Sequence, residues 1–392
     1  MRSSMRLLSL GATAAFIFAA CSSGGGAATS APSAAASESA AASESAAASP
    51  SSSGGSTGSK NWIACVAFDT GGLGDKGFND LAKKGLEDAQ AQGFTTFFAE
   101  AQGATDYAAN IQRLIDQGCQ SIVTVGFNQS QATIDATKAN PDIAFSQVDT
   151  TWDTSGPDKK IGTSDDTQIP VNFTGLSYQI DQAAMLAGYL AAGFSKSGKI
   201  GTYGGQQFPG VTLFMDGLSA GIKYHNQEKG TDVKLFGWDA ASQKGTFVGG
   251  DNPWGDPAKG EQLAKTLVDQ GVDIVHPVAG ATGNGSIKYM LSKNLWAIGV
   301  DTDQAISLSE YAKAILTSAQ KAIDVSVLDT FNKNQAGDLG GENYVGTLEN
   351  KGVLISPYHD FDSVIPADLK SEIDTLSGKI SDGSVKVADY LK

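Results

Sequence analysis

Three aspartates close apolar runs in this chain: Asp69 follows Ile63 to Phe68, Asp149 ends IAFSQVD from Ile143, and Asp301 follows Leu295 to Val300. A continuous apolar run without polar alternation reads as a strand of a parallel sheet buried on both faces. In open α/β sheets ligands bind in the crevice outside the carboxyl ends of the strands. The three carboxylates are therefore expected at one crevice, accepting hydrogen bonds from ligand N–H and O–H groups. After Asp69 the loop carries Gly71, Gly72 and Gly74, which permit a sharp turn close to a ligand, and Asp75. Phe78 and Asn79 then open a helix whose apolar positions recur at Leu81, Ala82, Leu86 and Ala89. Aromatic Phe78, with Trp254 from a later loop, supplies flat surfaces for stacking. The glycine-rich stretch Gly280 to Gly285 follows a strand but has Ser286 where a phosphate-binding loop needs Lys, which suits backbone approach to a neutral ligand. So many carboxylates with no Arg beside them repel phosphates. A nucleoside fits: its base stacks on Phe78 and Trp254, its donors face Asp69 and Asp149, and its ribose hydroxyls face Asp301.

The elements that must position these residues form two βα series. In the first, the strand at Ile63, a helix through Tyr107, Ile111 and Leu114, a strand from Ser121 to Phe127 and a helix stopped by Pro141 lead to Asp149. In the second, a helix spans Tyr178 to Phe194, a strand Lys199 to Gly204 and a helix Val211 to Tyr224. Then come a strand Val233 to Trp238, a helix from Pro257 to Asp269, a strand to Val278, a helix Asn284 to Lys293 and a last strand before Asp301. One long helix, Glu310 to Phe331, and two short strands are expected after it. Such alternation predicts an α/β protein with two parallel sheets, each covered on both faces, and a cleft between two lobes. Hinges are expected near Asp165 to Phe173 and Asp301 to Ser307.

Length and charge narrow the class. At 392 residues the chain exceeds what one core supports, and a formal net charge of −14 excludes nucleic acid as a partner. His225, His276 and His359 lie far apart, so neither a metal nor another cofactor is expected. Gly217, Ser219 and Gly221 match G-x-S-x-G, but a nucleophile elbow needs a strand-to-helix turn and Ser219 falls inside a helical stripe. It reads as helix packing by small residues. Cys65 and Cys119 are either buried thiols or a disulfide formed after export.

Met1 to Cys21 has basic Arg2 and Arg6, an apolar segment from Leu7 to Ala20 and small residues before Cys21, which reads as a secretory signal. The FAAC ending resembles the lipobox of bacterial lipoproteins, with Phe18 where Leu is usual, and implies a lipidated Cys21. Residues 22–60 are almost wholly Ala, Ser, Gly, Thr, Pro and Glu, which predicts a disordered tether with an end-to-end distance of roughly 35 Å.

Taken jointly, FDTGGLGDKGFND, YLAAGFSKSGKIGTYGG, FMDGLSAGIKY, GDPAKGEQLA, AGATGNG, IGVDTDQ and ILTSAQKAID resemble the basic-membrane-protein family of lipoproteins, over Trp62 to about Phe361. The resemblance implies a type I periplasmic-binding-protein fold, two doubly wound parallel-sheet lobes around a cleft. It also implies the role of extracytoplasmic substrate-binding protein of an ABC importer, similar to the purine-nucleoside receptor. By that likeness Asp69 and Asp149 hold the base, Phe78 stacks on one face and Trp254 on the other, while Gly280, Asp301 and Lys321 serve the ribose. Asn79 and Asp303 are further candidates. TFVGGDNPWGDPAKG is longer than the family's usual run, so Phe247 competes with Trp254 for the second stacking role. The expected lobes are 61–170 plus 302–332, and 171–301 plus 333–392. The expected protein is a monomeric, membrane-anchored non-enzyme whose partners are a nucleoside and an ABC permease. A secreted nucleosidase and a ligand sensor for a membrane signalling partner are the competing readings.

Overall fold

The computed structural model of the protein describes residues 61–161 and 163–392; the signal segment 1–21 with Cys21 and the tether 22–60 lie outside the described residues. The chain opens with β1 (Ile63–Phe68), α1 (Phe78–Ala91), β2 (Thr95–Glu100), α2 (Tyr107–Asp116), β3 (Ser121–Val125), α3 (Ser130–Ala139), β4 (Ala144–Val148) and β5 (Phe173–Tyr178). It continues with α4 (Ile180–Phe194), β6 (Lys199–Gly204), α5 (Pro209–Lys229), β7 (Lys234–Phe236), the small hairpin β8 (Trp238–Asp239) and β9 (Lys244–Gly245), and α6 (Pro257–Asp269). The last third holds β10 (Ile274–Val278), α7 (Gly280–Ser292), β11 (Trp296–Asp301), α8 (Gln304–Ser307), β12 (Ile315–Lys321), α9 (Ile323–Gln335), β13 (Glu342–Gly346), β14 (Val353–Ile355) and α10 (Ala367–Ser381).

Two six-stranded sheets result, ordered β13-β5-β4-β3-β1-β2 and β14-β12-β11-β10-β6-β7. The first is parallel throughout, and in the second only the β12–β14 pairing is antiparallel. Helices cover both faces, which is why central strands such as β1 read as unbroken apolar runs: Ala64 to Phe68 are fully buried. Cys65 on β1 is bonded to Cys119 just before β3, a disulfide that fits an exported chain.

Sheet membership moves the lobe boundaries from those expected. Strand β5 lies in the first sheet although its residues were expected in the second lobe, and so does β13. Conversely β12, expected as part of one long helix over Glu310 to Phe331, is a strand of the second sheet, and only α9 returns to the first lobe, packing on α1. The segment ILTSAQK is rich in helix formers, yet Ile315, Leu316, Thr317, Ser318 and Ala319 are all buried between β11 and β14. A helix would turn part of that stretch to solvent, so tertiary burial overrides propensity. The chain therefore passes between lobes at Tyr178 to Ile180, Lys321 to Ile323 and Gly346 to Val353, not at the segments expected as hinges.

In the second lobe α4 and α5 pack closely because small residues face each other. A Cβ on Gly188 would lie 2.4 Å from the Leu218 carbonyl oxygen, one on Gly217 2.3 Å from that of Asp181, and one on Gly221 2.1 Å from that of Met185. Ser219 is buried inside α5, so the G-x-S-x-G match is helix packing. Gly221→Ala is expected to lower unfolding free energy by about 1–3 kcal/mol through overpacking. Gly378→Ala, on α10 with open space around it, is expected to raise it by about 0.5–1 kcal/mol through helix propensity. Urea unfolding of the two variants checks both signs.

Candidate functional site

The strand ends of both sheets surround one cleft. The stretch between β1 and α1 is built by two carboxylates. Asp75 accepts the N–H groups of Gly77 (2.9 Å), Asn79 (2.8 Å) and Asp80 (3.3 Å) and the Asn79 side-chain amide (3.1 Å). Asp80 accepts those of Gly74 (2.8 Å) and Lys76 (3.0 Å). The first turn of α1 is thereby held, and Phe78 is set at the cleft wall. Asn79 Oδ1 accepts the Asp69 N–H at 3.2 Å while its amide serves Asp75, so Asn79 ties the two acids together.

Asp149 follows β4 in the first lobe and Asp301 ends β11 in the second. Both have left-handed backbone, φ +61° and +63°, a conformation that costs on the order of 1–2 kcal/mol for an L-residue and recurs at binding sites. Lys321 ends β12. Its ammonium donates to Asp149 Oδ2 at 2.7 Å and Oδ1 at 3.0 Å and stands 3.6 Å from Asp301 Oδ1. Expected on a helix, Lys321 is instead a strand-end residue only 3% exposed, and it lies 5.3 Å from the Phe78 ring centroid. Asp301 Oδ1 is buried and accepts no hydrogen bond from the described residues. Burial pushes the Asp301 carboxyl up to about 6, with Lys321 opposing and Asp149 and Asp75 adding to the rise. Asp69, Asp75, Asp149 and Asp301 thus line the cleft with Lys321, a strongly acidic balance.

Aromatic groups form the rest of the wall. The Trp254 indole lies on Gly205, where a Cβ would come within 2.3 Å of its ring. Its ring centroid is 5.8 Å from that of Phe208, which stacks on Phe127 at 5.4 Å and 20°. Phe127 follows β3 and Phe208 precedes α5, so this stack joins the lobes. Trp254 lines the cleft, whereas Phe247 packs edge-on against Trp238 and against Gly204. Gly280 begins α7 with φ +53°, and its first turn is stapled to the Trp254 loop: Thr282 N–H donates to the Trp254 carbonyl (3.0 Å), and Asp256 N–H to the Thr282 hydroxyl (2.8 Å). The glycine-rich stretch is helix rather than loop.

The eight expected ligand residues Asp69, Phe78, Asn79, Asp149, Trp254, Gly280, Asp301 and Lys321 all line this cleft. Asp303 instead meets His359 at 2.7 Å. Phe127 and Phe208 were not anticipated, although both lie at strand carboxyl ends, as the acids do. At the rim Asn284 donates to the Asp75 carbonyl (3.2 Å) and Ser307 to that of Lys76 (2.8 Å), so the lobes are closed on each other.

Two parallel sheets whose carboxyl ends share one cleft, with three chain passages between them, define a two-lobe periplasmic-binding-protein fold. A solute-binding protein of an ABC transporter system from Aeropyrum pernix K1 superposes with a TM-score of 0.71 at 22% identity, covering 83% of this chain and 92% of that one. Residues 63–389 match the model of the Bmp family, described as ABC transporter substrate-binding protein PnrA-like. The chain belongs to that family and is an ABC-transporter substrate-binding protein. Among curated relatives, basic membrane protein A1 of Borrelia garinii subsp. bavariensis is 29% identical over 313 residues, 79% of this chain and 83% of the relative. The ABC transporter nucleoside-binding protein BmpA of Lactococcus lactis subsp. cremoris is 28% identical over 341 residues, 81% and 88% respectively. Among the described residues no helix is long and apolar enough to cross a membrane, and no cluster of metal-ligating side chains occurs.

The raised Asp301 carboxyl has a signed consequence. The folded protein binds that proton more tightly than the unfolded chain, whose value is near 3.8, so the stabilisation is full below about pH 4 and lost as pH rises through about 6. The ligand-free protein is expected to lose on the order of 2 kcal/mol relative to Asp301→Asn between pH 4 and 7, read by urea unfolding. Parallel stability curves for the two proteins would contradict it.

Proposed function

We propose that this substrate-binding protein captures a nucleoside, a purine nucleoside first, holds it intact in the cleft and delivers it to an ABC permease. The observation that carries the reading is the pairing of unsatisfied carboxylate oxygens with flat rings. Asp301 Oδ1 is buried with the Lys321 ammonium 3.6 Å away, beyond hydrogen-bond distance, so a ligand donor would complete it. Phe78 and Trp254 border the same space, and the acidic wall disfavours phosphorylated forms. A base stacked on Phe78 and Trp254, with Asp69 and Asp149 toward its edge and Asp301, Lys321 and Gly280 toward the ribose, uses each of these groups. The naming of the Lactococcus lactis relative as nucleoside-binding supports the same choice. Anchoring through a lipidated Cys21, with residues 22–60 as tether, keeps the captured ligand at the membrane, and the protein acts as a monomer.

Calorimetry with inosine, adenosine, uridine, hypoxanthine and ribose tests this directly. Inosine is expected to bind at one site without release of free base; sustained hypoxanthine release would favour the nucleosidase reading, and binding of ribose alone would favour a sugar receptor. Phe78→Ala is expected to weaken inosine by about 1–3 kcal/mol, the magnitude of base stacking on an aromatic side chain. Asp301→Ala is expected to reduce inosine affinity more than hypoxanthine affinity, and equal losses would reject the ribose-side assignment.

A further inference from the structure

The groups behind Asp69 have a geometry that the ligand contacts alone do not explain. Oδ1 of Asp69 accepts the Thr70 N–H at 2.7 Å, the Thr70 hydroxyl at 3.3 Å and the hydroxyl of Tyr107. Oδ2 accepts no hydrogen bond from the described residues, and Asp69 lines the cleft. On its other side lies the backbone of Gly126, φ +96°, where a Cβ would come within 2.4 Å of Oδ2. That backbone is pinned in turn: Gln147 donates to the Gly126 carbonyl at 2.9 Å, and Gln129 donates to the carbonyls of Val125 (2.8 Å) and Ala67 (2.9 Å). Tyr107 itself is 5% exposed and opens α2, after a turn in which the Asp106 carboxylate accepts the N–H groups of Gln102 (2.8 Å) and Gly103 (3.2 Å).

We infer that Tyr107 is a positioning residue for ligand binding: its hydroxyl holds one oxygen of Asp69 so that the other is presented in a fixed direction to a ligand N–H. The inference rests on the reading of the cleft as a nucleoside site. A carboxylate with both oxygens free would rotate about its terminal torsion and share its acceptors with water; here one oxygen is taken and the glycine backbone limits the other. The hydroxyl also sets charge. Burial pushes the Asp69 carboxyl up, and the Tyr107 hydrogen bond is the largest influence pulling it back, followed by those of Thr70. The other titratable groups around Asp69 are Asp75, Asp149, Asp301 and Lys321, which share the cleft and are unchanged by a substitution at Tyr107.

Tyr107→Phe keeps the ring and removes the hydroxyl. In the ligand-free protein, a carbon-13 carboxylate NMR titration is expected to show the Asp69 midpoint rising by about one unit in the variant, the usual scale for loss of a hydrogen bond to a charged group. Inosine affinity is expected to be several-fold weaker than wild type, with a loss that grows as pH falls toward the Asp69 midpoint read in that titration, because a less acidic Asp69 is protonated over more of the range. The Asp301 titration occurs in both proteins and cancels in the ratio. An unchanged Asp69 midpoint, or an affinity ratio independent of pH, would overturn the assignment and leave Tyr107 as core packing. If wild type binds no nucleoside, the nucleoside reading falls, while the ligand-free titration still decides whether Tyr107 sets the state of Asp69.

Discussion

Burying one ammonium among carboxylates from both lobes is the constraint around which the molecule closes. Lys321 and Asp149 are brought together from opposite sheets, both almost without solvent, and Asp301 stands beside them with one oxygen unsatisfied. A buried ion pair is seldom a net source of stability, because desolvation offsets the Coulomb gain, but breaking one is costly. The pair therefore acts less as glue than as a register. The lobes reach low energy only where the end of β12 meets the end of β4, and any opening that parts them must let water in to both charges. The left-handed backbone at Asp149 and Asp301 belongs to the same arrangement, since it turns each carboxylate out of its strand line toward the shared lysine.

The same electrostatics selects what enters. With Asp69, Asp75, Asp149 and Asp301 at the wall, Lys321 is already claimed, and a dianionic phosphate would meet repulsion without a free cation to answer it. Asp75 has its oxygens committed to the first turn of α1, so it shapes the loop rather than contacting a ligand. The groups left over are acceptors: Oδ1 of Asp301 and Oδ2 of Asp69. On the proposed reading, a ligand that satisfies them donates at two separated points and lies flat along Phe78 and Trp254. Shape and hydrogen-bond polarity thus specify the guest together.

Asp69, Asp149 and Asp301 were legible in the sequence because an acid at the end of an unbroken apolar run marks a strand end, and strand ends face the cleft. Lys321 was misplaced because ILTSAQKAIDVSVLDTF carries helix formers throughout. What makes ILTSAQK a strand is its place between β11 and β14, the latter more than thirty residues on, with Ser356 supplying partners for Thr317 and Ser318. Such a pairing has no local signature. The lobe passages were hidden for a related reason, since they depend on which sheet accepts β5, β12 and β13. Phe127 and Phe208 were missed because among rings the strand-end rule was carried only to Phe78; Phe127 stands two residues past β3, and Phe208, four past β6, has no such mark in the sequence.

Those two rings show how the Trp254 loop is accommodated. The loop is fixed at its carboxyl side by Trp254 and Asp256 bonding to Thr282, which ties it to the first turn of α7. The indole is large and would fill the cleft if its floor carried a side chain, but Gly205 lets it sink against the backbone. Phe208 then braces its edge and passes the contact to Phe127 in the other lobe. A bulky ring lining the cleft from the second lobe is thus coupled to closure itself: the wall it forms is set by the same aromatic contacts that meet across the cleft.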